Sequence, residues 1–312
     1  MNKKSMGISK KRQVAQKTCG SHDLNELITA FNNKSVRILG RNSKVIVQKL
    51  RHLSEMIGLQ KLKTFVACIV YMVCAELPGA EMFMNICITG EPGCGKTDAC
   101  NRIASLIQYI LFGNNGHVVT LNRCDLVGRV LGETAIKTKM ALIRNKNKCI
   151  FIDEIYSLGN NNSTDKDSFS KECIDTICGH LSEYVDSCSV IIAGYTAETE
   201  ECFFQSNPGL VRRFPWRFEF ERYNADELVA IFSLKMSDYN VEDLQPIREF
   251  FDVHKCDAAD VMKFISNLLL CHSKSVVLDK ESRLNIGMKT IKEAFAKMTK
   301  VQKPLPCAHM FL

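Results

Sequence analysis

The chain has 312 residues, 46% hydrophobic and 24% charged, which is the composition of a soluble globular protein with room for one α/β domain and a smaller companion. Its net charge of +7 is uneven: residues 1–51 hold twelve Lys and Arg against Asp23 and Glu26, a net +10, which leaves −3 for the rest. The longest apolar run, Phe65 to Ala75, is too short to span a bilayer, and no apolar signal segment opens the chain, so neither a membrane protein nor a secreted one is expected.

Fifteen cysteines are scattered and odd in number, with no C-x-x-C pair, and the seven histidines supply no zinc spacing. Cys173, Cys178 and His180 fall together on a predicted helix and read as packing residues. Reduced thiols in a cytoplasmic or nuclear compartment follow.

In chain order, residues 1–45 read as a basic N-terminal arm, partly disordered. "SKKRQ" (9–13) is suited to nucleic acid, an acidic partner or an import receptor, although Phe31 is the arm's one aromatic for base stacking. Weak helical periodicity over 22–45 is broken by "FNNKS" and "LGRNSK". Two helical patterns follow between Val45 and Leu77, joined through "MIGLQ". After Pro78–Gly79, short β-rich runs alternate with longer helical ones. The predicted strands are 84–89, 117–122, 148–153, 189–195 and 216–220; the predicted helices are near 97–112, 134–145 and 168–186. Such alternation implies a five-stranded, mostly parallel sheet between helices over 46–222. "GNNG" (113–116) and "GNNNSTD" (159–165) read as loops. Residues 223–302 carry helical patterns alone and read as a small all-α domain, followed by a tail at 303–312.

The chemistry concentrates in two places. "GEPGCGKT" (90–97) fits the phosphate-loop pattern G-x-x-x-x-G-K-[ST], and it lies where a strand turns into a helix, as that motif requires. Backbone N–H groups from Glu91, Pro92's successors Gly93, Cys94 and Gly95, and the helix start through Asp98 would surround the phosphates of ATP. Lys96 would reach the β- and γ-phosphates, and Thr97 would ligate Mg²⁺. In "CIFIDEIY" (149–156), an apolar strand delivers Asp153 and Glu154 to its carboxyl end, where open α/β sheets bind ligands. Asp153 suits the metal and Glu154 suits proton abstraction from a water.

These motifs, with "MIGLQKLK" (56–63), "DLVGRVLGETAIKTK" (125–139), "FSKECIDTI" (169–177), "IIAGYT" (191–196) and "NPGLVRRF" (207–214), occur in an order that resembles the AAA+ ATPases. Within them, the chain resembles the branch of the stage V sporulation K-type proteins and the red-type rubisco activase, from about Leu53 onward. The resemblance implies an AAA+ core with a helical lid. It places Ile57 and Gly58 at the adenine and Thr196 (with Tyr195 as the alternative) in the sensor-1 position that checks the γ-phosphate. Arg213 (with Arg212 as the alternative) becomes an arginine finger reaching into a neighbouring subunit of a ring, usually of six.

Three positions depart from the family pattern. Val130 stands where the first pore loop normally offers an aromatic. Ala259 of "CDAAD" stands at the sensor-2 arginine, with Lys263 one turn on. Cys94 stands where Thr or Ser is common. The expectation is a Mg²⁺-ATP-dependent remodeller of a protein partner; a loader acting on DNA or RNA and an assembly module with little turnover are the alternatives.

Overall fold

The computed structural model describes residues 24–76, 84–130, 132–159, 168–184, 188–278 and 282–300. The expectations for residues 1–23, Leu131, most of the 159–165 loop and the 303–312 tail lie outside them.

By their contacts, these residues form two compact units. One takes the described residues up to Thr89 together with Lys96–Glu219; the other takes Gly90–Gly95 together with the described residues from Phe220 onward. The turn of the phosphate loop thus groups with the helical residues, which the sequence boundary at 222/223 does not anticipate.

The first unit begins with helices. Helix α1 (Leu24–Asn32) buries Leu24, Leu27 and Phe31, one stripe at helical spacing. Helix α2 (Ser43–Ser54) is capped by the Asn42 side chain, which accepts the Lys44 N–H at 2.9 Å, and helix α3 (Gln60–Ala75) follows. Helix α1 packs on both. Residues 24–45, assigned in sequence to a basic arm, therefore contain an ordered helix whose apolar stripe was masked by the polar breaks that flank it.

Strand β1 (Ile86–Gly90) leads to α4 (Lys96–Phe112) and then β2 (Val119–Leu121). A short α5 (Arg123–Leu126) and α6 (Glu133–Arg144) precede β3 (Cys149–Ile152). Helix α7 (Ser168–Glu183), β4 (Ser189–Gly194), α8 (Thr196–Thr199), α9 (Leu210–Arg213) and β5 (Trp216–Phe220) complete the series. The sheet order is β2-β3-β4-β1-β5, and the pairs β2–β3, β3–β4 and β1–β4 run parallel. Every residue of β3 and β4 is buried, as a sheet covered on both faces requires, whereas the edge strand β5 alternates half-buried and exposed residues up to the buried Phe220. Phe65 of α3 covers that edge, its ring centroid 4.7 Å from Trp216 and 5.0 Å from Phe218.

The strand order places β1 between β4 and β5, and β3 next to β4. The chain segments leaving the carboxyl ends of β1, β3 and β4 therefore emerge side by side, the usual place for a ligand in such a sheet.

In the second unit, α10 (Ala225–Lys235) starts at a full capping box between Asn224 and Glu227. Helices α11 (Gln245–Val253), α12 (Ala258–Leu278) and α13 (Met288–Lys300) pack with it around Phe232, Phe251, Phe264 and Ile291. Phe250 and Phe295 stack at 4.4 Å beside this core. A two-residue parallel pairing of Asn240–Val241 with Asn285–Ile286 is added to the helices. Helix α12, at 21 residues, is long and apolar enough to cross a membrane, but Val261, Phe264, Leu268 and Cys271 along it are spent on this core.

Candidate nucleotide-binding site

Ile86, Cys87 and Ile88 of β1 are buried, and the turn that follows needs glycine. Gly93 (φ +72°) and Gly95 (φ +82°) lie in the left-handed region, which side chains with a Cβ rarely adopt. The turn is closely packed within its unit. A Cβ on Gly93 would fall 2.4 Å from the Asp257 carboxyl carbon, and one on Gly95 would fall 3.1 Å from the Tyr223 hydroxyl. The Gly93 carbonyl accepts the Ala258 N–H at 3.3 Å, and Glu91 pairs with Arg222 at 3.2 Å. Asp257 and Asp260 cap each other's backbone N–H groups, at 2.9 and 3.2 Å. "CDAAD", read in sequence for the arginine it lacks, is a reciprocal helix cap set against the phosphate loop. Ala259 and Lys263 are both exposed there. Cys94 is buried, with 3% of its surface accessible.

The first unit brings the reacting groups together. Lys96 and Thr97 open α4, so the helix dipole favours an anion beside them. The Thr97 hydroxyl donates to Asp153 Oδ2 at 2.8 Å, joining the helix start to the carboxyl end of β3. Asp153 Oδ1 accepts the Glu154 N–H at 2.9 Å. A hydroxyl and a carboxylate converging at this separation fit the oxygen-rich coordination of Mg²⁺, so Thr97 and Asp153 are a suitable donor pair. Glu154 is exposed and held in the left-handed region (φ 49°, ψ 48°), an uncommon setting for a residue with a Cβ. Asp98 turns away to pair with Arg102 at 3.0 Å.

Two tyrosines join this cluster, one of them weighed only as an alternative and the other not foreseen. The Lys96 ammonium lies 5.0 Å from the centre of the Tyr195 ring, and Tyr195 stacks on Tyr156 at 5.0 Å with 15° between planes. Thr196 instead opens α8, and its hydroxyl donates to Glu219 at 3.0 Å. Of the two sensor-1 candidates, Tyr195 is the one beside the phosphate-loop lysine.

Arg213 lies elsewhere. Its guanidinium donates to Ser182 Oγ at 2.7 and 3.0 Å and to the Gly209 carbonyl at 3.1 Å. Its own carbonyl accepts from Asn85, which immediately precedes β1. Arg213 thus sits at the amino end of the strand whose carboxyl end carries the phosphate loop, and it does not join its own chain's cluster. Arg212 is exposed. Ile57 and Gly58 lie in the turn between α2 and α3, where Gly58 (φ 67°) and Leu59 (φ 60°) take left-handed conformations in succession. Lys63 ties that turn from below through the Ser54 carbonyl at 3.0 Å.

Val130 is 63% exposed at the head of α6. Glu133 accepts the Arg129 N–H at 2.7 Å and the Val130 N–H at 3.4 Å, and these bonds pull its carboxyl below the usual range. Among the described residues no metal cluster of His, Cys, Asp and Glu occurs and no disulfide forms. Burial pushes the Cys87 and Cys149 thiols up to about 12, the direction expected of inert packing groups.

A glycine-rich turn leading into a helix, with a threonine hydroxyl on a strand-end aspartate, is the arrangement of a phosphate-loop nucleotide-binding fold. Residues 86–222, from the first residue of β1 to just past β5, match the ATPase family associated with various cellular activities (AAA). A cfxQ-like protein of Acanthamoeba polyphaga mimivirus is 29% identical over 289 residues, which cover 89% of this chain and 71% of that protein. Protein CbbX of Cereibacter sphaeroides is 32% identical over 65% of this chain and 66% of its own length. Stage V sporulation protein K of Bacillus subtilis is 31% identical over 58% of this chain and 57% of its own length. The match thus spans less than two thirds of either bacterial relative. Residues 86–222 thus form an AAA ATPase domain, and the chain is similar to the CbbX and stage V sporulation K proteins.

Proposed function

We propose that this chain binds Mg²⁺-ATP, hydrolyses it as an oligomeric ring, and uses the cycle to remodel a protein partner. The observation that carries this reading is the Thr97–Asp153 contact of 2.8 Å, which sets Mg²⁺-type donors beside Lys96 and one residue from Glu154.

The turn 91–95 and the start of α4 receive the phosphates through backbone N–H groups, and Ile57 and Gly58 border the adenine. Lys96 leaves the Tyr195 ring for the β- and γ-phosphates, while Tyr195 faces the γ-phosphate in the sensor position. Thr97 and Asp153 would hold the metal, which when bound neutralises charge on the phosphate oxygens. Glu154 accepts the proton of the attacking water. Arg213, remote from its own chain's cluster, supplies its charge to the neighbouring copy, as a finger worth about 10³–10⁵ in rate. A ring, of six copies by resemblance to the family, is the geometry that lets every copy give and receive one.

Val130 offers the partner an exposed apolar contact smaller than an aromatic, which suits transient engagement more than a firm grip on a threaded chain. A second reading, action on nucleic acid, rests on the net +10 of residues 1–51. The cysteines of the described residues are free thiols, which suits a reducing, cytoplasmic setting.

Hydrolysis measured against chain concentration, with particle mass followed by light scattering, tests the reading. Turnover per chain should rise as Mg²⁺-ATP assembles the ring and vanish with EDTA. Full turnover by a monomer would refute the ring, and no turnover at any concentration would refute the ATPase.

A further inference from the structure

Tyr156 has no part in the reading above, yet it lies within the cluster. It belongs to the single 3₁₀ turn Ile155–Leu158 that follows Glu154, whose left-handed backbone makes the chain reverse there; the Ser157 N–H closes the turn onto the Glu154 carbonyl at 2.7 Å. The turn brings the Tyr156 ring onto the end of β4. Gly194 leaves room for it: a Cβ there would lie 3.2 Å from Tyr156 Cδ1 and 2.3 Å from Thr199 Oγ1. The ring then stacks on Tyr195 at 5.0 Å and 15°, and Tyr195 carries Lys96 over its own face. Lys96, Tyr195 and Tyr156 thus form one stack, and Glu154 stands two residues before Tyr156 at the head of the same turn.

We propose that Tyr156 is a positioning residue for the general base: stacking on Tyr195 fixes its ring, and its hydroxyl donates a hydrogen bond to the Glu154 carboxylate. Burial, and after it the neighbouring Glu154 carboxylate and Tyr195, push the Tyr156 phenol well above its ordinary value. The hydroxyl therefore stays protonated and acts as a donor; Tyr156 itself transfers no proton. The carboxylate gives one lone pair to this bond and keeps the others for water. The logic is that of any base oriented by a third group: without the donor, an exposed glutamate on a strained backbone samples many rotamers. The same ring stack gives the base a link to nucleotide occupancy, since Lys96 must leave Tyr195 when phosphates arrive.

The proposal rests on Glu154 being the base, and its test separates the two. Tyr156→Phe keeps the ring and the stack and deletes only the hydroxyl. Single-turnover hydrolysis should slow by about ten- to a hundredfold, the worth of a hydrogen bond to a charged group. The KM for ATP and the affinity for a non-hydrolysable analogue should stay within about twofold, and the unfolding midpoint should stay near wild type. In a Glu154→Gln background, Tyr156→Phe should cost nothing further. Wild-type turnover in Tyr156→Phe, with Glu154→Gln inactive, would overturn the positioning role alone. Equal slowing by Tyr156→Phe in the presence and absence of Glu154 would also overturn it. Turnover retained in Glu154→Gln would instead remove the base itself.

Discussion

Replacing Gly93 with alanine tests how tightly the phosphate loop is specified. Two costs can be read from the structure. At φ +72° a Cβ costs about 1 kcal/mol, the usual penalty for a left-handed residue. The same Cβ would sit 2.4 Å from the Asp257 carboxyl carbon, so Asp257 must move, and in moving it gives up the 2.9 Å cap on the Asp260 N–H. Loss of such a cap costs about 1 kcal/mol, with some strain remaining. Together the terms reach about 2–3 kcal/mol, charged against the one loop shape that presents its N–H groups to phosphate. ATP affinity should therefore fall by about 30- to 150-fold. Adding Asp257→Ala removes the clash but not the φ penalty, so the double variant should regain affinity, to within about tenfold of wild type. Displacement of a fluorescent ATP analogue measures all four corners of the cycle, with thermal unfolding as a check on folding. Unchanged affinity in Gly93→Ala, or strictly additive effects with Asp257→Ala, would refute the account of a loop shaped by that contact.

Other consequences follow from the same geometry. Arg213→Ala should keep ATP affinity and lose about a thousandfold in turnover. Because Arg213 lies away from its own chain's Glu154, mixing Arg213→Ala with Glu154→Gln should restore part of the activity, and a mixture as dead as its components would place the finger elsewhere. Stability should decline in alkali. The folded thiols of Cys87 and Cys149 rest at about 12, above the 9.0 of a free thiol, so this contribution is intact below about 9 and is lost as pH rises through 12. Urea unfolding at pH 8 and pH 10 should show the lower midpoint at pH 10, and an equal or higher one would contradict the burial of these thiols.

The strands and the two motifs were legible because their signals are local. "CIFI" and "SVIIA" are continuous apolar runs of strand length, and the turn glycines of "GEPGCGKT" have no substitute at positive φ. Helix α1 was obscured because nine residues between polar breaks give too few turns for periodicity to stand out. Which of Tyr195 and Thr196 faces Lys96 depends on where β4 ends and α8 begins, and a shift of one residue exchanges the faces. The Asp257–Asp260 cap had a sequence signal, an acidic residue three positions after a helix-capping aspartate, but its approach to Gly93 joins residues more than 160 apart and has no local trace. Tyr156 is similar: "DEIYSL" marks an aromatic after the glutamate, and only the stack on Tyr195 distinguishes it from a core residue.

ATP turnover by the Glu154→Gln chain is the most direct test of the central claim that the Thr97–Asp153–Glu154 cluster hydrolyses a nucleotide. Binding of Mg²⁺-ATP should persist at wild-type affinity while turnover falls by about 10²–10⁴, the contribution of a placed general base. Turnover equal to wild type would contradict it.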